Sequence, residues 1–247
     1  MRDTILTFKR YEKKYLLSAE AFARLWDKLG GRLEEDEYPR STVCSLYYDS
    51  GDFSLIRRSL ERPVYKEKLR LRSYGVPDAA GEVFVELKKK YKGVVYKRRA
   101  ALPASAAEDW LAGKIPAPGD SQTLREIAWF LRENDVQPRV FIACDREAWR
   151  VKDQPELRIT FDRNLRWRGD ALSLTAGDGG KALLAPGEVL MEIKIPDAAP
   201  LWLAHLLSEE KIFPVSFSKY GTCYREHILC TLFSDPESRE ALTAAAD

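Results

Sequence analysis

Apolar residues along this chain recur mainly at a period of two. In the stretch 82–90 (EVFVELKKK), Val83, Val85 and Leu87 share one face, and Glu82, Phe84, Glu86 and Lys88 share the other. In 156–165 (ELRITFDRNL), Leu157, Ile159 and Phe161 oppose Glu156, Arg158, Thr160 and Asp162. In 187–196 (GEVLMEIKIP), Val189, Met191, Ile193 and Ile195 oppose Glu188, Leu190, Glu192 and Lys194. Runs at 6–17, 42–49, 63–74, 93–102 and 138–151 bring the expected strands to about eight. Most connections are too short for a parallel crossover, and 82–90 meets 93–102 through a tight turn, so an antiparallel sheet or barrel is predicted.

Helical spacing fills the gaps. The stretch 18–30 opens on Ser18 as an N-cap and closes at Gly30; further helices are predicted over 52–61, 104–113, 122–133, 197–211 and 216–232. The class is therefore α+β. The segments 73–82, 112–122 and 175–188 and the Ala-rich tail after Pro236 read as turns or loops rather than linkers, so residues 1–247 are read as a single domain. The acidic run 34–38 (EEDEY) reads as a solvated loop.

The polar faces are charged rather than merely hydrophilic. Lys66, Lys68, Arg70 and Arg72 stand at a spacing of two, and the first run carries Arg10, Glu12 and Lys14 on one side. For any single strand, a wet face explains this. As a set, the cations are interleaved with Glu at fixed offsets, and there are helices enough to cover the apolar faces. The charged faces can then turn toward one another. Cations packed together in an interior cost several kcal/mol each, unless that interior holds water, carboxylates and a polyanion. A phosphate chain fits: guanidinium groups meet phosphate oxygens in pairs and lysines add point charge. Carboxylates among them make sense as ligands for a hard divalent cation.

Bulk composition narrows the partners. Forty Lys and Arg against 38 Asp and Glu leave a net charge of only +2, so a broad basic surface for nucleic acid is not expected. No apolar run suits a signal peptide or a membrane span, and a cytoplasmic protein without a membrane segment is expected. Cys44, Cys144, Cys223 and Cys230 form no C-x-x-C pair and are read as buried free thiols. Trp26, Trp110, Trp129 and Trp202 lie in helical patterns and read as packing residues; Trp149, near Arg146 on a strand, is open between packing and stacking on a base.

From about Phe8 to Tyr224 the motifs YEKKY, KLRLR, VELKKK, DREAWR followed by RITFD, MEIK and FSKY occur in order. This order resembles the VTC domain, the polyphosphate polymerase domain of the vacuolar transporter chaperone complex. That domain is one of the triphosphate tunnel metalloenzymes, alongside the CYTH proteins. The resemblance implies a closed antiparallel barrel of about eight strands with flanking helices, its core spanning about residues 8–232. It implies an ATP-dependent inorganic polyphosphate polymerase acting on ATP and polyphosphate or triphosphate. The alternatives are a metal-dependent tripolyphosphatase or nucleoside triphosphatase, and a non-catalytic polyphosphate-binding module.

Carried over by position, Arg70, Arg72, Lys88, Arg146, Arg158 and Lys219 would form the catalytic set, and Lys14, Lys68 and Arg98 would join them on the substrate. Glu192, with Glu12 and Glu86, would hold Mn²⁺ or Mg²⁺. Whether Arg98 or the Lys97 and Arg99 side faces inward is open at this level. The wider superfamily's first strand carries Glu-x-Glu-x-Lys, whereas Arg10, Glu12 and Lys14 stand here; a cation in place of one carboxylate weakens the case for a two-metal hydrolase. The SPX-like regulator and the transmembrane helices that accompany the eukaryotic domain are not read in this chain.

Overall fold

A computed structural model describes residues 11–92, 94–196 and 198–230. Arg10, the start of the run 6–17 and the end of the helix expected over 216–232 lie outside them. The strands are β1 (Tyr11–Leu17), β2 (Leu33–Asp49), β3 (Tyr65–Tyr74), β4 (Glu82–Tyr91), β5 (Val94–Pro103), β6 (Gln137–Val151), β7 (Gln154–Arg168), β8 (Lys181–Ala182) and β9 (Val189–Ile195). The helices are α1 (Ala19–Leu29), α2 (Ser54–Leu60), α3 (Ala104–Leu111), α4 (Gln122–Glu133), α5 (Leu201–Glu209) and α6 (Lys219–Cys223), the last continued by a π-helical turn, Tyr224–Ile228.

One antiparallel sheet carries the fold, in the order β1-β9-β7-β6-β2-β3-β4-β5, with β8 paired to β7. Its outer face is apolar and clad in helices. On one half, Leu69, Leu71, Val85 and Leu87 pack against Trp110 of α3 and Leu124 and Phe130 of α4. On the other, Ile159, Met191 and Ile193 meet Leu25 and Leu29 of α1 and Leu203 of α5. α1 forms as its spacing predicts: Ser18 Oγ accepts from the Ala21 N–H at 3.2 Å, and Leu25 and Leu29 are fully buried on one stripe. A third cluster lies on the inner face, where Tyr220, Cys223 and Tyr224 plug against Tyr47, Val140 and Ile142 with Ile56 of α2.

Four expectations change. The barrel is not closed: β1 and β5 are the two ends of the order, and no ladder joins them among the described residues. β5 carries Lys97, Arg98 and Arg99 in a row, the kind of charged edge that resists further pairing. The acidic run 34–38 is not a loop but the start of β2, which pairs β6 with a register shift between Glu35 and Arg40 and buries Asp36. The last helical stretch is coil as far as Ser218, and α6 begins only at Lys219. Trp149 packs beside Trp26 at 5.0 Å in the second core and is no base platform. The cysteines are all free thiols, with Cys230 exposed rather than buried. Among the described residues, no helix is long and apolar enough to cross a membrane.

A charged inner face as the candidate functional site

The inner face is built by strand alternation. On β3, β4 and β5 the register sets Arg70 opposite Glu86 and Lys68 opposite Lys88, then Glu86 opposite Arg99 and Lys88 opposite Lys97. Residues opposite one another in a ladder share a face, so all of these point inward. Glu86, only 1% exposed, is their anchor. It receives Arg70 through Nε at 2.8 Å and Nη2 at 2.7 Å, Lys97 at 2.6 Å, Arg99 Nε at 2.7 Å and Arg72 at 3.9 Å. Burial alone would raise the Glu86 carboxyl; Arg70, Arg72, Lys97 and Arg99 more than reverse this and hold it well below the usual carboxylate range. With its oxygens so engaged, Glu86 is not available as a metal ligand, which corrects one expectation.

Arg98 corrects another. It is opposite Leu87 in the ladder, on the outer face, where its Nε donates to both oxygens of Glu126 on α4 at 3.0 and 3.2 Å. Lys97 and Arg99 hold the inward places instead. The question was one of strand parity, and only the register answers it.

A second anchor sits across the face. Asp162 of β7 is fully buried and takes a two-pronged guanidinium contact from Arg146, Nε at 2.6 Å and Nη2 at 2.7 Å. Lys219 at the start of α6 donates to the same carboxylate. Glu192 of β9 lies 3.3 Å from Lys14 and 3.6 Å from both Lys219 and Arg146, and Lys14 also reaches Glu12 at 3.5 Å. Burial opposes the charged form of Asp162 and of Glu192. Lys219 and Arg146 overcome it for Asp162, and Lys219, Lys14 and Arg146 hold Glu192 well below its ordinary range.

The two halves converge although the ladder is open. Glu12 on β1 feels the charge of Lys88 on β4, and Lys68 on β3 feels that of Lys14 on β1, across five intervening strands of the sheet order and four respectively counted between them. Arg72 also feels the charge of Arg146, on β6 just beyond β2. The sheet therefore curls its charged face into a trough. Lys68, Lys88 and Lys194 point into it with no close carboxylate ion pair among the described residues, although Glu12 and Glu192 act on Lys88 and Lys194 through space; Lys68 donates to Ser218 Oγ at 3.1 Å. Burial first, then Lys66, Lys88, Lys14 and Arg70, push Lys68 down to about 7. At the rim, Asp36 binds Arg150 at 2.5 Å and also Arg158, whose side chain is 40% exposed.

Of the sequence-nominated residues, the fold thus gathers Lys14, Lys68, Arg70, Arg72, Lys88, Arg146 and Lys219 with Glu12 and Glu192, leaves Arg158 at the rim and turns Arg98 outward. Sequence reading left Lys97 and Arg99 as an open alternative to Arg98 and missed Asp36, Asp162 and Lys194 as site residues. The alternation that put Asp162 and Lys194 on the polar faces was a usable signal for those two. Among the described residues no three His, Cys, Asp or Glu side chains cluster for a metal. Glu192 and Glu12, which feels the charge of Glu192 and shares Lys14 with it, are nevertheless hard oxygen donors on the trough wall. They suit Mn²⁺ or Mg²⁺ when phosphate oxygens and water complete the shell, the usual mode for these ions.

The comparisons agree with this geometry. Two solved structures share the fold: a candidate adenylate cyclase from Bacillus halodurans, 15% identical, TM-score 0.53, covering 88% of this chain and 96% of that one; and a candidate adenylyl cyclase from Hippeastrum described as having a dominant triphosphatase activity, 17% identical, TM-score 0.51, covering 87% and 94%. At these identities they speak for the fold alone. Vacuolar transporter chaperone complex subunit 4 of Trypanosoma brucei brucei (strain 927/4 GUTat10.1) is 25% identical, over 78% of this chain and 28% of that subunit. The chain thus spans little more than a quarter of that relative's length. The family model of the VTC domain matches residues 9–227, every strand and helix of the trough included, and by that match the chain belongs to the VTC domain family.

Proposed function

We propose that this chain is an ATP-dependent inorganic polyphosphate polymerase whose trough binds the triphosphate of ATP and the end of a growing phosphate chain. The observation that carries the reading is the surplus of inward cations. Glu12, Glu86, Asp162 and Glu192 are outnumbered, and Lys68, Lys88 and Lys194 make no close carboxylate ion pair among the described residues, Glu12 and Glu192 acting on the latter two only through space. Buried like charges of this kind are unfavourable until an anion joins them. Membership of the VTC domain family supports phosphate as that anion.

Phosphoryl transfer needs no protein nucleophile; it needs alignment and neutralised charge. Lys68, Lys88 and Lys194 are free to meet phosphate oxygens directly. Arg70, Arg72 and Arg146 are held in place by Glu86 and Asp162, so their charge is oriented before substrate arrives. An oxygen of the acceptor's terminal phosphate attacks the γ-phosphorus, the bond from that phosphorus to the β–γ bridging oxygen breaks, and ADP leaves. Glu12 and Glu192 would hold Mn²⁺ or Mg²⁺, which when bound supplies charge neutralisation on phosphate oxygens.

The test is purified protein with ATP and Mn²⁺, run on a gel that resolves phosphate chains. A ladder of lengthening chains is expected. Release of orthophosphate without chains would make the protein a triphosphatase, and tight polyphosphate binding without turnover a binding module; either overturns the polymerase reading.

A further inference from the structure

Lys219 and Arg70 reach the trough from different elements, yet both trace back to one side chain that never enters it. Tyr220, the residue after Lys219, is 2% exposed, and its hydroxyl donates to Asp49 Oδ2 at 2.8 Å. Asp49 is fully buried at the end of β2 and is itself immobilised: it accepts from the N–H groups of Ser50 at 2.9 Å, Leu55 at 2.9 Å and Ile56 at 3.0 Å. The Tyr220 ring stacks on that of Tyr47, centroids 4.8 Å apart and planes 20° from parallel. The Tyr47 hydroxyl in turn accepts from Arg70 Nη1 at 3.3 Å.

We infer that Tyr220 and Asp49 are positioning residues, which fix Lys219 through the backbone of α6 and Arg70 through the Tyr47 ring. α6 and the π-helical turn that continues it make a short helical segment, marginal in water without tertiary anchors. The Asp49 bond and the Tyr47 stack are two such anchors, and both grip the same tyrosine. A carboxylate with four donors cannot swing, so the α6 end that carries Lys219 is pinned to the start of α2. The inference rests on the reading of the trough as a phosphate site.

The experiment measures tripolyphosphate binding by calorimetry, together with the melting temperature, for the wild type, Tyr220→Phe, Lys219→Ala and the double variant. Tyr220→Phe keeps the ring stacked and removes only the hydroxyl. It should weaken binding about tenfold, the usual scale of a lost hydrogen bond to a charged group. If it acts through Lys219, the double variant binds no more weakly than Lys219→Ala alone. A parallel pair, Tyr47→Phe and Arg70→Ala, should show the same non-additivity. Unchanged affinity in Tyr220→Phe, or losses that simply add, would show a structural role only and overturn the inference. Wild-type protein that binds tripolyphosphate but builds no chains removes the polymerase reading and leaves the positioning role standing. Wild-type protein that binds none removes both.

Discussion

Glu86 shows how much of the site depends on single side chains. Four cations share the two oxygens of this buried carboxylate. Glu86→Gln keeps the shape and removes the charge, leaving those cations facing one another. A cost of about 3 kcal/mol is expected, in the range for stripping one partner from a buried ion pair. The melting temperature should drop, and added tripolyphosphate should recover much of it. Arg98 and its neighbour make a sharper contrast. Arg99→Ala should weaken tripolyphosphate binding, whereas Arg98→Ala should leave it unchanged and cost under about 1 kcal/mol, the scale of a pair near solvent. Equal losses in the two variants would mean the face assignment is wrong. Lys68 sets the pH response. With its pKa near 7 in the free protein, it must be charged to hold phosphate. Binding should take up a proton near pH 8, and affinity should fall by up to about tenfold per pH unit above 7. For the ligand-free protein the sign is opposite. Between 7 and the ordinary lysine value the unfolded chain binds more protons, so stability rises with pH there. Lys68→Met should reduce both trends in calorimetry and in thermal melts, leaving the share of Lys97, which burial also pushes down to about 7.

At the scale of elements, the sequence was most legible where alternation was strict. The faces of β4, β7 and β9 follow directly from their period of two, and α1 from its Ser18 cap and helical spacing. What alternation could not say was which charges meet. Parity in β5 was ambiguous because Lys97, Arg98 and Arg99 are consecutive cations, and only pairing with β4 decides among them. The run EEDEY looked like loop because its partners, Arg150 and Arg158, lie more than a hundred residues away. The Asp49–Tyr220–Tyr47 assembly was unreadable for the same reason: nothing local marks it. β2's entry also carries a prediction. Asp36→Ala releases Arg150 and Arg158 at the rim, so long polyphosphate should bind about threefold more tightly, consistent with the modest worth of partly exposed pairs. Weaker binding would mean that Asp36 orients the two arginines for phosphate rather than competing with it.

For the molecule as a whole, apolar faces outward under helices and charged faces inward reverse the arrangement of a protein with one oily centre. The stability comes from the cladding; the interior is kept unfavourable until an anion arrives. Tripolyphosphate should therefore raise the melting temperature steeply, by mass action on the folded state alone. The rolled sheet also lacks a fastened join between its first and last strands among the described residues. A hollow cylinder admits a long guest only by its ends, one unit after another. A roll whose first and last strands share no ladder among the described residues can part those two strands without breaking a backbone hydrogen bond between them. On the proposed polymerase reading, a product of any length then leaves sideways, with no need to be drawn back along its whole course.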